Sequence, residues 1–275
     1  MPVINTNTNA QYAQDALKAN AKATANVMQQ LSTGSRINAA RDDAAGLSLS
    51  QNMTSQVRGL NQAVRNANDG INLLQTADGA LIETSNMLQR MRELAVQSAN
   101  STNSVSQRGY LQAEYASLKD EITRIANNTL WNNTSVFGNQ SGTVVSMIFQ
   151  AGMNSGQTIT IQISSMDSTN LGVGTTAITS WTSSSAALTL IDIAVETVNA
   201  ARSGMGATMN QLSYSADNMV NISTNIAASR STIMDTDYAT ASAQLAKNQI
   251  ISQAATAMLA QANQQPQSVL SLLKG

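Results

Sequence analysis

The chain has no cysteine, no histidine and only two prolines among its 275 residues. Without cysteine there are no disulfides, no thiol nucleophile and no thiolate zinc site. Without histidine the commonest general base and metal ligand is missing. Aromatics make up 3% and charged residues 11%, and the net charge is −1, so there is no basic stripe of the kind that tracks nucleic acid. No run of 18 apolar residues occurs, so no membrane-spanning helix is expected. The N-terminus has no basic region followed by an apolar core, so a Sec-type signal peptide is not expected either. If the protein leaves the cell, it uses another route.

What the chain does have is helical periodicity at both ends. Between Ala239 and Leu273 the only charge is Lys247, and Ile250, Ile251, Ala254, Ala255, Ala257, Met258 and Ala262 recur at three-to-four spacing. Alanine favours the helix and lets backbones approach closely, so this is a helix built to pack. At the other end Ala10, Ala13, Leu17, Thr24, Val27 and Leu31 form a second thin apolar stripe. The two termini are suited to a coiled pair, parallel or antiparallel. Each buried CH₂ contributes only about 0.8 kcal/mol, whereas ordering one residue costs about 1–2 kcal/mol in backbone entropy. Such a pair is marginal alone and needs further copies around it, as expected of a self-assembling subunit. Leu17, Val27, Leu31, Ile250, Ile251, Met258 and Leu259 are the candidate self-assembly residues.

Between the termini the helical pattern continues. Ser35 to Asp43 reads as a linker. From Ala44, Leu74, Leu81, Leu88 and Ala95 repeat every seventh residue, locally weakened by Gly70 and Gly79. Asn100 to Ser104 reads as a turn. Leu111, Tyr115, Leu118, Ile122 and Ile125 mark a third helix that ends at Asn127-Asn128. From Ala126 to Ala187 the only charge is Asp167. Thr158 to Ile163 alternates as a one-sided strand, with Val144 to Gln150 as its partner. From Leu188 a long apolar repeat runs to Ile233, with Gly204 and Gly206 as its weak point. Met234 to Asp237 then breaks it and offers an aspartate cap. The fold class is mainly α, an antiparallel helical coiled-coil rod with a small central β-hairpin.

Several motifs resemble bacterial flagellin. Leu31-Ser32-Thr33-Gly34-Ser35-Arg36-Ile37-Asn38 and Arg41-Asp42-Asp43-Ala44-Ala45-Gly46-Leu47 are similar to the family's N-terminal signature. Gln89 to Gln97 and Met258 to Pro266 match it as closely. The resemblance covers about residues 3–140 and 188–273. It implies an inner-core helix and spoke at 1–43, a rod at 44–140 and 188–234, a variable region at 141–187, and a second inner-core helix at 235–275. The implied function is a structural, non-enzymatic subunit of the helical filament used in swimming. The alternative is a hook-filament junction (hook-associated) protein of the same export system. The implied location is extracellular, reached by type III export through an uncleaved, disordered N-terminal segment. The implied partners are other copies of the chain, an export chaperone, the filament cap and hook-associated proteins. Members with these motifs are recognised by the flagellin-sensing Toll-like receptor, which carries over to Gln89, Arg90, Leu94 and Glu114. No nucleic acid, membrane, metal or cofactor is implied.

No catalytic constellation is visible. Asp42-Asp43 is a carboxylate pair, but neighbouring helical positions point apart, so ion pairing with Arg36 or Arg41 is the better reading. Gly138 to Gly142 is turn chemistry with no lysine to complete a phosphate loop. Met87, Met91, Met205, Met209 and Met219 read as core packing. An enzyme on a helical scaffold and a coiled-coil binding module of fixed size are the rival classes.

Overall fold

The computed structural model describes residues 6–138 and 144–274, the side chains of 265–274 excepted. The expected export segment at the extreme N-terminus and the Gly138–Gly142 turn fall wholly or partly outside the described residues. The elements run α1 (Thr8–Thr33), α2 (Ala44–Ser98), α3 (Val105–Asn128), β1 (Leu130–Trp131), β2 (Thr134–Ser135), β3 (Val144–Gln150), β4 (Thr158–Ser164), α4 (Trp181–Met234) and α5 (Tyr238–Lys274). They divide into two compact units, residues 1–55 with 225–275, and residues 56–224.

In the unit of residues 56–224, α2 and α4 run antiparallel. Arg92 pairs with Asp192, Asp78 with Arg202, and Asn61 with Ser223, so positions descend on one helix as they ascend on the other. The heptad Leu74, Leu81, Leu88 and Ala95 is buried, as is the adjacent ridge of Leu73, Ala77, Thr84, Met91 and Leu94. From α4, Ile191, Val198, Met205, Leu212 and Met219 are buried as well. Met87 and Met209 are half-buried at the edge of this core. Gly204 and Gly206 do not interrupt α4, which continues unbroken for 54 residues, about 80 Å. The core contacts on either side hold the backbone against the local glycine penalty.

Helix α3 folds back on α2 through the turn expected at Asn100. Ser104 caps it reciprocally with Gln107, each side chain taking up the other's backbone amide. The β3–β4 hairpin pairs Val145 with Ile163, Met147 with Ile161 and Phe149 with Ile159 on its inner face. That face lies on the helices at Gly70, where a Cβ would stand 3.1 Å from Leu212 Cδ1 and 3.3 Å from the Phe149 ring. The glycine that weakens α2 locally is what lets the hairpin seat.

Two features of this region are absent from the sequence reading. Asn132 and Asn133, with φ of 47° and 63°, make the two-residue turn of a minimal hairpin, β1–β2. Residues 165–180, between β4 and α4, form an irregular strap tied to α3. Lys119 Nζ donates to the Gly174 carbonyl, Tyr115 shares a 2.6 Å hydrogen bond with Thr176, and Thr123 bonds Ser168. Gln112 accepts from the Ile178 amide, and Ser98 of α2 donates to the Ile178 carbonyl. Met166, Leu171, Val173 and Ile178 of the strap are buried. Its one charged residue, Asp167, is buried with it.

Candidate assembly surfaces

In the unit formed by residues 1–55 and 225–275, α1 and α5 pack along their lengths, and the orientation left open by the sequence is antiparallel. Asn7 Nδ2 donates to the Ala262 carbonyl at 2.8 Å, Asn20 Nδ2 to the Asn248 carbonyl at 2.7 Å, and the Tyr238 hydroxyl to the Leu31 carbonyl at 2.6 Å. The near ends are tied by backbone. Ser35 and Asp235 form a bridge, the Arg36 amide donates to Met234 and the Thr236 amide to Gly34. Gly34 closes α1 in the left-handed region at φ 70°, where a side chain would be strained.

Asp237 caps α5, as the sequence suggested. Its Oδ1 accepts from the Ala239 amide and its Oδ2 from the Thr240 hydroxyl. The Thr240 hydroxyl, followed by the backbone amides of Ala239 and Thr240, holds the carboxyl below its ordinary range. Arg36 does not pair with Asp42 or Asp43; it donates to the Ile233 carbonyl. Asp42 accepts from the Asn38 and Ala39 amides and meets Arg41 at 3.7 Å, while Asp43 accepts from the Gly46 amide at the start of α2. Both carboxylates therefore order the segment between α1 and α2.

The half-buried positions of α1 include Ala10, Ala13, Leu17, Asn20, Thr24, Val27 and Leu31, a three-four repeat, with Ala23 and Gln30 beside it. The face that α5 turns to them is Ala241, Leu245, Asn248, Ser252, Ala255, Leu259 and Ala262, a repeat of the same spacing. This corrects the apolar face inferred from sequence. Ala255 and Ala262 are in the seam, but Ile250, Ile251 and Met258 point away from α1 and are 65%, 42% and 65% exposed. Leu17, Val27, Leu31 and Leu259 sit half-buried in the seam. Helix α5 thus carries two apolar faces, one covered by α1 and one bare. Beside the bare face lies an open groove of about 430 Å³, lined by Asn9, Tyr12, Ala13, Ala16, Ala255, Met258, Gln261 and Ala262.

In the unit of residues 56–224, Arg90 and Glu114 meet across α2 and α3. Arg90 Nε donates to Glu114 at 2.9 Å and its Nη1 to Glu93 at 2.8 Å. Hydrogen bonds to the two carboxylates raise the guanidinium pKa above its ordinary value. The three side chains are half to two-thirds exposed, so the cluster is a surface feature of small energetic weight. Gln89 is exposed beside it. Leu94 is different. At 1% exposure it is a core residue under this surface and is not available to a docking partner in this conformation. Glu93 was missed in the sequence, although its three-residue spacing from Arg90 on a helix signals the pair. Val96, half exposed, joins Gln89, Arg92, Glu93 and Gln97 around a shallow groove.

Among the described residues no group of acidic side chains is arranged to hold a metal, and no helix is long and apolar enough to cross a membrane. The geometry defines a helical protein whose two termini pair into one unit and leave an apolar face open.

Residues 4–142 match the bacterial flagellin N-terminal helical region, and residues 188–273 the C-terminal helical region. The chain is 42% identical over 274 residues to a flagellin of Halalkalibacterium halodurans, covering 99% of this chain and all of that protein. It is 40% identical over 285 residues to the flagellar filament 33 kDa core protein of Treponema phagedenis, at 99% and 100% coverage. The structure of a putative flagellar hook-associated protein from Vibrio parahaemolyticus is similar in fold, with a TM-score of 0.58 at 15% identity, covering 70% of this chain and all of that one. The chain belongs to the bacterial flagellin family.

Proposed function

We infer that this chain is the structural subunit of a helical flagellar filament, secreted and working outside the cell in swimming motility. It is a building block, not an enzyme. The observation that carries this reading is the second apolar face of α5. Ile250, Ile251 and Met258 remain exposed after α1 has covered the first face, on a stretch whose only charge is Lys247. Burying a Leu- or Ile-sized side chain contributes about 1.5–3 kcal/mol, so these positions have most to gain from another copy. A contact of that kind that does not close on itself propagates as a helix.

The layered organisation follows from the same reading. Residues 1–43 and 235–275 form the inner core, residues 44–140 and 188–234 the rod, and residues 141–187 the variable region. An export chaperone, the filament cap and hook-associated proteins are the partners that such a subunit requires on its way out and at the filament ends. Gln89, Arg90 and Glu114 form the outward cluster offered to the flagellin-sensing Toll-like receptor, with Leu94 supporting it from beneath. A hook-filament junction role has no observation in its favour.

Electron microscopy of purified protein tests the central claim. The intact chain should give long uniform filaments. A chain lacking residues 239–275, and a full-length chain with Ile250, Ile251 and Met258 changed to serine, should give none. Filaments that persist in the triple variant would overturn the role of this face.

A further inference from the structure

Without cysteine, the sulfur chemistry of this chain belongs to methionine. Among the described residues only Met28, Met153 and Met258 are exposed methionines, at 57%, 39% and 65%, and the others lie buried or half-buried. Their settings differ. Met153 stands in the connection between β3 and β4, in the unit of residues 56–224. Met28 is on α1, where its exposed neighbours one turn to either side are Ala25 and Ser32, neither of them a large apolar group. Met258 is on the bare face of α5, in line with Ala254 and Ile251. It also borders the open groove that Tyr12 and Ala16 line from α1.

A thioether on this face is apolar and adaptable, and suits burial against another copy. Its sulfoxide is polar and chiral and carries an acceptor oxygen. In the free chain that oxygen faces water, so the monomer keeps its stability. At a contact between copies it must give up that water, which weakens the contact. One oxygen atom at this position therefore acts on association and not on folding.

We propose that Met258 is an oxidation site that governs growth of the assembly. A peroxide converts its thioether to the sulfoxide in the free chain, and the modified chain adds poorly to a filament. This rests on the reading of the α5 face as an assembly surface. In the step, a sulfur lone pair attacks one peroxide oxygen, and the S–O bond forms as the O–O bond breaks. The proton of the transferred oxygen moves to the other, which leaves as water. Sulfur is oxidised by two electrons and the peroxide is reduced. Once the face is covered by another copy the oxidant no longer reaches it, so the unassembled subunit is the sensitive form.

Brief hydrogen peroxide treatment of dilute full-length protein tests this, read by mass spectrometry of each methionine and by sedimentation of filaments. With Met258 oxidised, the concentration needed for growth should rise about tenfold over that of the untreated chain, while the circular dichroism of the helices is retained. Met258→Leu keeps an apolar group of similar volume. Oxidised to the same extent at Met28 and Met153, it should grow within about twofold of its untreated form. A chain with Met28→Leu and Met153→Leu, which keeps Met258, should be as sensitive as the natural chain, and gives the second reading should Met258→Leu fail to assemble. Reductases for both sulfoxide epimers, with dithiothreitol, should restore growth. Growth lost equally in treated Met258→Leu, or kept by a natural chain fully oxidised at Met258, would overturn the proposal. The reading beneath it fails separately, either in untreated protein that forms no filaments or in filaments whose Met258 oxidises as fast as that of the free chain.

Discussion

Two glycines in α2 allow packing to be separated from helix propensity. Gly70 and Gly79 both follow an aspartate in the same long helix, so replacing either by alanine gains about 1 kcal/mol of helix propensity. Their surroundings differ. Gly79 is exposed, and a Cβ there meets nothing within 4 Å. Gly70 is buried, and a Cβ there stands 3.1 Å from Leu212 and 3.3 Å from Phe149. Fitting it requires the β3–β4 hairpin or α4 to give way, and overpacking of this kind costs about 1–3 kcal/mol. Gly79→Ala should therefore stabilise the chain by up to about 1 kcal/mol, and Gly70→Ala should be worse than Gly79→Ala by about 1–3 kcal/mol. Since propensity cancels, the difference is the packing cost alone. Denaturant unfolding followed by circular dichroism, at concentrations where the protein is monomeric, measures it as a shift in midpoint at constant slope. Equal midpoints for the two variants would refute the claim that Gly70 seats the hairpin.

Core and assembly positions should separate by assay. Leu88→Ala, in the buried heptad, should cost about 2–5 kcal/mol in monomer unfolding, whereas Ile251→Ser should leave monomer stability within about 0.5 kcal/mol and reduce filament yield in sedimentation. Burial pushes the Tyr115 hydroxyl above its ordinary pKa. Its contribution is therefore complete below pH 10.0 and lost as pH rises through the elevated value. Tyr115→Phe should cost about 0.5–1.5 kcal/mol at neutral pH and flatten the alkaline limb of a stability-versus-pH profile. The Asp237 cap works in the opposite sense. Its carboxyl is held below 3.8, so its stabilisation is present above that value and lost as pH falls through the depressed one. In hydrogen exchange, acid should open the first turn of α5 in the natural chain, and Asp237→Ala should show that opening already at neutral pH. Arg90→Ala with Glu114→Ala should leave unfolding unchanged and lower signalling in a cell assay of the Toll-like receptor.

Much of this organisation is local and therefore legible in the sequence. The leucine heptad of α2, the stripe of α1, the alternation of β4 and the aspartate before α5 each state in a few residues which face is buried or which end is capped. The Asn132-Asn133 turn also carries its signal, a pair of residues tolerant of the left-handed region. The four positions that the resemblance assigns to receptor recognition divide by burial. Arg90, Glu114 and Gln89 are placed at the surface, but Leu94 belongs to the buried ridge, and its spacing of three from Met91 and seven from Met87 marks it as such.

By itself, then, the sequence determined the helices, the hairpin and the flagellin family, because periodicity and motifs are properties of neighbouring residues, although α4 begins at Trp181, seven residues ahead of the apolar repeat at Leu188. The tertiary structure decided what depends on partners far along the chain. It decided that Gly70 serves Phe149 and Leu212, that residues 165–180 bind α3 and that α1 runs antiparallel to α5. It also decided which face of α5 is turned inward. That helix is apolar or small most of the way round, so periodicity has no single face to select. The choice falls to α1 and to the Gly34–Arg36 and Met234–Thr236 tie, which set the helix down with Asn248 inward and leave Ile250, Ile251 and Met258 outward.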